Sequence, residues 1–300
     1  MGKIKLKNTI MLIICAFFWG IGFAFQSSAM DHVGPFTFNT LRFLLGFVLT
    51  FLICLLIDNK KLTKEYRIYE LLAGFKCGII YFFAVSVLQV GVQYTSVGKC
   101  SFISILYIVL VPLYYAIRYK KISIQVFISV VLAVIGFYFL CIKETFIIER
   151  GDLIVLLSAL IFTVHIIFIS KYTIWYNPIR LTSYQFLITT VLSCIIMFIL
   201  EKPTVANIFA TKHTILFSGI FPCAIANTLQ FYGQQEYDTS VASLVLSFEG
   251  VFGALGGYFI LGDELSKIEI FGCILIFIAI LIPQIIEIYN KMLIKKEDLI

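Results

Sequence analysis

Charge is scarce in this 300-residue chain. Asp, Glu, Lys and Arg supply only 13% of it, about half of the roughly 25% usual for soluble domains. In their place, hydrophobic residues reach 61% and mean hydropathy is +1.01. No aqueous globule buries that much Leu, Ile, Val and Phe, so lipid must be the solvent. Paired cysteines are missing too. The eight cysteines stand singly, with no CxxC, which excludes a disulfide framework and reads as small buried apolar side chains. Three histidines, none at ligand spacing from a cysteine or a second histidine, leave no basis for a metal site. HExxH, GxSxG, a Gly-rich phosphate loop and a Walker motif are all absent, which argues against an enzyme and against direct use of ATP. No cofactor is expected. No hydrophilic stretch is long enough to form a separate domain.

What is present is a series of long apolar runs. A window of about 20 residues places ten of them, at 10–30, 36–57, 69–93, 100–117, 123–141, 153–170, 180–200, 214–235, 240–261 and 268–288. They are too long and too poorly alternating for barrel strands. The fold class expected is an all-α membrane protein with ten transmembrane helices. The first run follows three lysines, as in a signal peptide, but its 21 residues exceed a signal h-region of about 7–15. It is expected to persist as the first span.

The net charge of +6 forms no single patch and gives no reason to expect a nucleic-acid partner. With the N-terminus inside, fifteen Lys and Arg fall in cytoplasmic segments and six on the opposite side. The positive-inside rule then sets both termini in the cytoplasm, and the cytoplasmic membrane is the expected location.

The chain also repeats itself. Pro35 stands seven residues before Arg42, and Pro178 seven before Gln185. Trp19 precedes Pro35 by sixteen residues, as Phe162 precedes Pro178. Ser123 and Ser266 lie 143 apart, and the Thr-Ser-Val triplets at Thr95 and Thr239 lie 144 apart. Two homologous halves follow, 1–146 and 147–300. Five spans in each invert the second half relative to the first, the arrangement of many transporters.

Four stretches carry a family resemblance: "FFWGIGFAFQ", "GPFTFNTLRFLLG", "VGVQYTSVGKCSFISILYIVLVPL" and "SFEGVFGALGGYFILGDELS". In that order, over nearly the whole chain, they resemble the EamA-type drug/metabolite transporters. The resemblance implies two inverted five-helix repeats and an exporter of small metabolites, often amino acids, working by alternating access. It names no particular substrate, since the family's are diverse. One departure is Gly250, where family members usually have proline; glycine is expected to loosen the helix there. A multispan membrane enzyme and a channel are the alternatives from other classes.

Polar groups inside the runs mark the candidate site, because they are costly in lipid. Glu249 lies about 15 Å from the cytoplasmic end of its run, and Arg42 about 10 Å from the outer end of its own. They are expected to be near enough to pair, either as interior glue or as a coupling site. His165 reads as a hydrogen-bonded interior histidine or a proton relay. Asn227, Gln230 and Gln234, at i, i+3 and i+7, share one face and are expected to look into a wet cavity. Gln89 pairs with Gln93 at i, i+4, and shares another face with Tyr81. Trp19, Tyr81 and Tyr107 come near mid-depth, away from the interfaces where aromatic anchors belong, and suit cavity walls. The expected partners are a small-molecule substrate and the lipid bilayer, for a monomer or homodimer.

Overall fold

A computed structural model describes residues 2–57, 63–118, 124–141, 149–235, 242 and 245–297. Every regular element among them is helical. Ser123, Glu236, the second Thr-Ser-Val triplet and several loop lysines of the charge count lie outside the described residues. In chain order the helices are α1 (Gly2–Ala29), α2 (Pro35–Ile57), α3 (Lys64–Val92), α4 (Val97–Ser104), α5 (Tyr107–Arg118), α6 (Ile124–Cys141), α7 (Arg150–Tyr172) and α8 (Pro178–Leu200). Two short helices follow, α9 (Val205–Ala210) and α10 (Lys212–Ser218). A π-helical stretch, Gly219–Asn227, joins α10 to α11 (Thr228–Gln235). The Glu249 helix (Phe248–Gly256) runs into a second π turn at Gly257–Leu261, and the closing helix spans Lys267–Glu297.

Seven of these segments are long and apolar enough to cross a bilayer: Lys7–Ala29, Pro35–Leu56, Lys64–Val92, Val97–Arg118, Arg150–Tyr172, Pro178–Leu200 and Lys212–Gln235. The apolar runs expected at 123–141, 240–261 and 268–288 correspond to α6, to Phe248–Leu261 and to the closing helix. The helices start where local chemistry sets them. The Thr63 hydroxyl accepts from Tyr66 N at 3.3 Å ahead of α3, and Ser96 Oγ accepts from Lys99 N at 3.4 Å ahead of α4. Asn177 Oδ1 accepts from Ile179 N at 3.0 Å, with Pro178 at the first helical position of α8. Both features satisfy or avoid the orphan donors of a helix N-terminus.

Chain breaks fall in the middle of the bundle. Between α4 and α5 the helix is interrupted by a turn at Ile105–Leu106, although no Gly or Pro stands there. Ser101 Oγ donates to Gly98 O at 2.9 Å and Ser104 Oγ to Ser101 O at 2.9 Å, local bonds that compete with the helical ladder. Pro222, which has no N–H to donate, sits inside the first π stretch, in keeping with its helix-breaking chemistry.

Without a hydrophobic force between helices in lipid, small residues govern close approach. A Cβ at Gly20 of α1 would stand 2.6 Å from the Glu249 carbonyl oxygen and from Phe252 Cβ. One at Gly250 would stand 2.6 Å from Ile105 Cδ1. Gly250 therefore lets the Glu249 helix lie against the α4–α5 break. The expected loosening does not fall at Gly250: the helix runs through it, and the turn is three residues earlier, at Ser247. On α3, Gly74 and Gly78 admit Tyr184 and Ile188 of α8. The seven described cysteine side chains are free thiols, six buried and Cys194 half-buried.

Candidate functional site

Helices α1, α2, α3, α4, α5 and α7, the first π stretch, α11 and the Glu249 helix line one cavity of about 60 Å³, open in part to solvent. Trp19, Tyr81, Tyr107 and His165 line it, as do Asn227, Gln230, Arg42 and Glu249. Asn227, Gln230 and Gln234 are all buried, although Gln234 stays out of the lining. Gln89 is also outside it: its Nε2 donates to the Gln26 carbonyl at 3.3 Å, so it braces α1 and does not share the cavity wall with Tyr81.

The π stretch shapes one wall. Two side chains use the Pro222 carbonyl within it. Trp19 Nε1 donates to it at 3.2 Å and Asn227 Nδ2 at 2.8 Å. That fixes the indole and turns Asn227 Oδ1 away. Asn227 Oδ1 and Gln230 Oε1 are buried acceptors with no partner among the described residues, on residues that line the cavity.

Arg42 and Glu249 do not pair. No ion pair links them, and each is held by a different neutral group. Arg42 Nη1 donates to Gln26 Oε1 at 2.7 Å, and the guanidinium carbon lies 5.0 Å from the Phe38 ring centre and 4.6 Å from that of Phe43. Glu249 Oε2 accepts from the Tyr107 hydroxyl at 3.1 Å. Both side chains are almost fully buried, at 4% and 6% exposure. The expectation failed because residue counting gives a depth along the membrane normal and no position around the bundle axis.

His165 is a hydrogen-bonded interior histidine, the first of the two alternatives, and it lines the cavity. Its Nε2 lies 2.7 Å from Gln185 Oε1, and its ring stacks at a tilt on Tyr81 with centres 4.8 Å apart. Arg42 and Gln185 occupy matching places, seven residues after Pro35 and Pro178. Each is bonded to the helix that precedes its own. One carries a permanent charge, the other none.

Several residues here were not singled out from the sequence. Gln26 and Ser104 line the cavity; Gln26, three residues before the end of α1, lies inside the first apolar run. Lys99 is one of the six basic residues counted outside the runs on the side opposite the cytoplasm. It is in fact only 1% exposed, with Nζ 3.3 Å from Glu269, 3.8 Å from Glu149 and 3.9 Å from Asp152. Ser96, a helix-capping residue three positions upstream, was the available signal that α4 begins before Lys99. At the other end of the bundle Glu70 Oε2 accepts from Arg180 Nε at 2.7 Å, and its Oε1 from Asn177 N at 3.1 Å.

The EamA-like transporter family matches the chain twice, over residues 6–142 and 149–283. A protein of Archaeoglobus fulgidus described as an uncharacterized transporter is 32% identical, over 95% of this chain and 88% of its own length. The uncharacterized transporter YoaV of Bacillus subtilis is 24% identical, over 90% of this chain and 94% of its own. A solved crystal structure superposes with a TM-score of 0.69 at 16% identity, covering 93% of this chain and 98% of that one; the likeness concerns the fold alone. With the family matched over nearly the whole length, this multi-pass membrane chain belongs to the EamA-like transporter family.

Proposed function

We propose that the chain is a secondary transporter that exports a small metabolite, such as an amino acid, across the cytoplasmic membrane by alternating access. It works as a monomer or homodimer with both termini in the cytoplasm. Ten transmembrane helices form two inverted five-helix repeats, 1–146 and 147–300. The two successive family matches support the repeat, and the 15-to-6 distribution of basic residues supports the orientation.

The observation that carries the reading is the central cavity. It draws its wall from both halves, with Trp19, Arg42, Tyr81 and Tyr107 from the first and His165, Asn227, Gln230 and Glu249 from the second. A site shared between repeats is where rocking one half against the other changes the side from which it is reached. Interrupted helices beside it, at Ile105–Leu106 and Gly219–Asn227, supply irregular backbone where it lines a cavity. Trp19, Tyr81, Tyr107, His165, Asn227, Gln230 and Glu249 are assigned to substrate binding, with Gln89 supporting Gln26 from behind.

The test is flux. Purified protein in liposomes is loaded with a panel of radiolabelled amino acids, organic acids and nucleobases, and efflux is compared with empty liposomes. Saturable efflux of at least one compound, lowered by Gln230→Ala, is expected. No efflux of any compound from liposomes whose protein is shown to be folded would overturn the reading.

A further inference from the structure

Arg42 is a buried cation without a counter-anion. Among the described residues no carboxylate pairs with it, and the cavity's own acid, Glu249, is held by Tyr107. The faces of Phe38 and Phe43 stabilise the guanidinium but leave its charge in place. An uncompensated charge inside a membrane protein is expensive, and such residues face a water-filled cavity or a ligand. Arg42 does line the cavity.

The geometry specifies which edge is left over. Nη1 is committed to Gln26, whereas Nε is buried and has no partner. Nε and Nη2 form the side-on pair of parallel donors that matches the two oxygens of a carboxylate. The remaining wall carries acceptors in excess: Glu249, Asn227 Oδ1 and Gln230 Oε1. Those acceptors suit an N–H or O–H donor elsewhere on the same ligand. A dianion such as a phosphate monoester fits worse, since a single guanidinium faces it.

We propose that Arg42 anchors the substrate, taking the carboxylate of a small carboxylic acid on its free Nε–Nη2 edge. The same substrate presents a hydrogen-bond donor to the Glu249–Asn227–Gln230 side. Gln26, Phe38 and Phe43 position the guanidinium. This substrate class rests on the transport reading of the same cavity.

The chain has two tryptophans, and Trp175 is largely exposed. In a Trp175→Phe background, Trp19 in the cavity wall becomes the sole fluorescent reporter. Phenylalanine, leucine and lactate are titrated into detergent-purified protein beside the primary amide of each. At least one acid is expected to change the Trp19 emission with a Kd about 10- to 100-fold below that of its amide, the span of a charge-assisted hydrogen bond. Arg42→Gln should remove that difference and Arg42→Lys keep part of it. Equal affinity for acid and amide, preference for the amides, or no response to any acid would each overturn the proposal, and none of these depends on the variants folding. The flux panel separates the two readings. Efflux only of compounds that lack a carboxylate retains transport and refutes the anchor. Acid-selective binding without any efflux retains the anchor and refutes transport.

Discussion

The Tyr107 hydroxyl donates to Glu249 Oε2 at 3.1 Å, joining residues 142 apart in sequence across the central cavity wall. It is the only hydrogen bond to the Glu249 carboxylate among the described residues. Tyr107→Phe therefore leaves a buried carboxylate without a donor and should destabilise the protein by about 1.5–3 kcal/mol. Glu249→Gln keeps an acceptor for the same hydroxyl and should cost less. In the Glu249→Gln background the bond is neutral, so Tyr107→Phe should then cost only about 0.5–1.5 kcal/mol. Unfolding in detergent micelles measures all four proteins of the cycle. Equal costs of Tyr107→Phe in both backgrounds would refute the link.

Arg42 gives a stability prediction of the opposite sign. Breaking a buried ion pair costs about 3–5 kcal/mol because it strands a charge. Among the described residues Arg42 has no such pair, so Arg42→Gln removes an uncompensated cation, and its amide remains a donor toward Gln26. The variant should melt at or above the temperature of the parent without ligand. A fall matching that broken-pair cost would show that an acid does compensate Arg42.

Glu201 caps a helix from another part of the chain. Its carboxylate accepts from Phe36 N at 2.8 Å, Thr37 N at 2.7 Å and the Thr37 hydroxyl at 2.6 Å, all at the start of α2. Glu201→Ala should cost about 1–2 kcal/mol, combining lost capping with a lost charge at the positive end of the helix. Gly34 has no side chain because a Cβ there would meet the Glu201 carboxyl. Gly34→Ala should therefore push the carboxylate off the helix and mimic Glu201→Ala. The double variant should lose little more than either single one, whereas additive losses would mean that Gly34 acts elsewhere.

What the sequence disclosed follows from what one coordinate can disclose. Apolar runs and residue rise give depth, and depth plus polarity was enough to gather Trp19, Tyr81, Tyr107, His165, Gln230 and Glu249 around one cavity. Neighbours around the bundle axis are set by packing, so Gln26 stands where Glu249 was expected beside Arg42. The α4–α5 turn was equally hidden, since hydropathy passes through Ile105 and Leu106 without change. Beside it Ser101 and Ser104 bond back to carbonyls of their own helix, and the Glu249 helix lies against it at Gly250. Lys99 was misplaced because a hydropathy window counts a lysine against a span. The three carboxylates around it come from α7 and its cap and from the closing helix, far along the chain.

Orientation follows from charge. Single cysteines at Lys64 and at Lys202, in a background without native cysteines, should label oppositely with a membrane-impermeant maleimide on intact cells. Position 202 should react from outside, and position 64 only after the membrane is opened. The reverse pattern would overturn the topology.

Pro222 separates the needs of the fold from those of the site. It withholds an N–H from the helical ladder inside Gly219–Asn227, and its carbonyl holds both Trp19 and Asn227. Pro222→Ala restores the donor and removes the ring's clash with the preceding turn, so the helix gains regular bonds there. The variant should fold at least as stably as the parent. A regular α-helical path uses fewer residues per turn than a π turn, so it rotates Asn227 and Gln230 away from their present facing and frees Trp19 from its anchor. Substrate efflux should then fall by an order of magnitude or more while the melting temperature holds or rises. Wild-type efflux in Pro222→Ala would mean that the π turn persists without proline, or that transport does not depend on how Asn227 and Gln230 face the cavity. A loss of stability would show instead that the proline ring is needed for packing, against Gly22 of α1, to whose position its Cγ comes close.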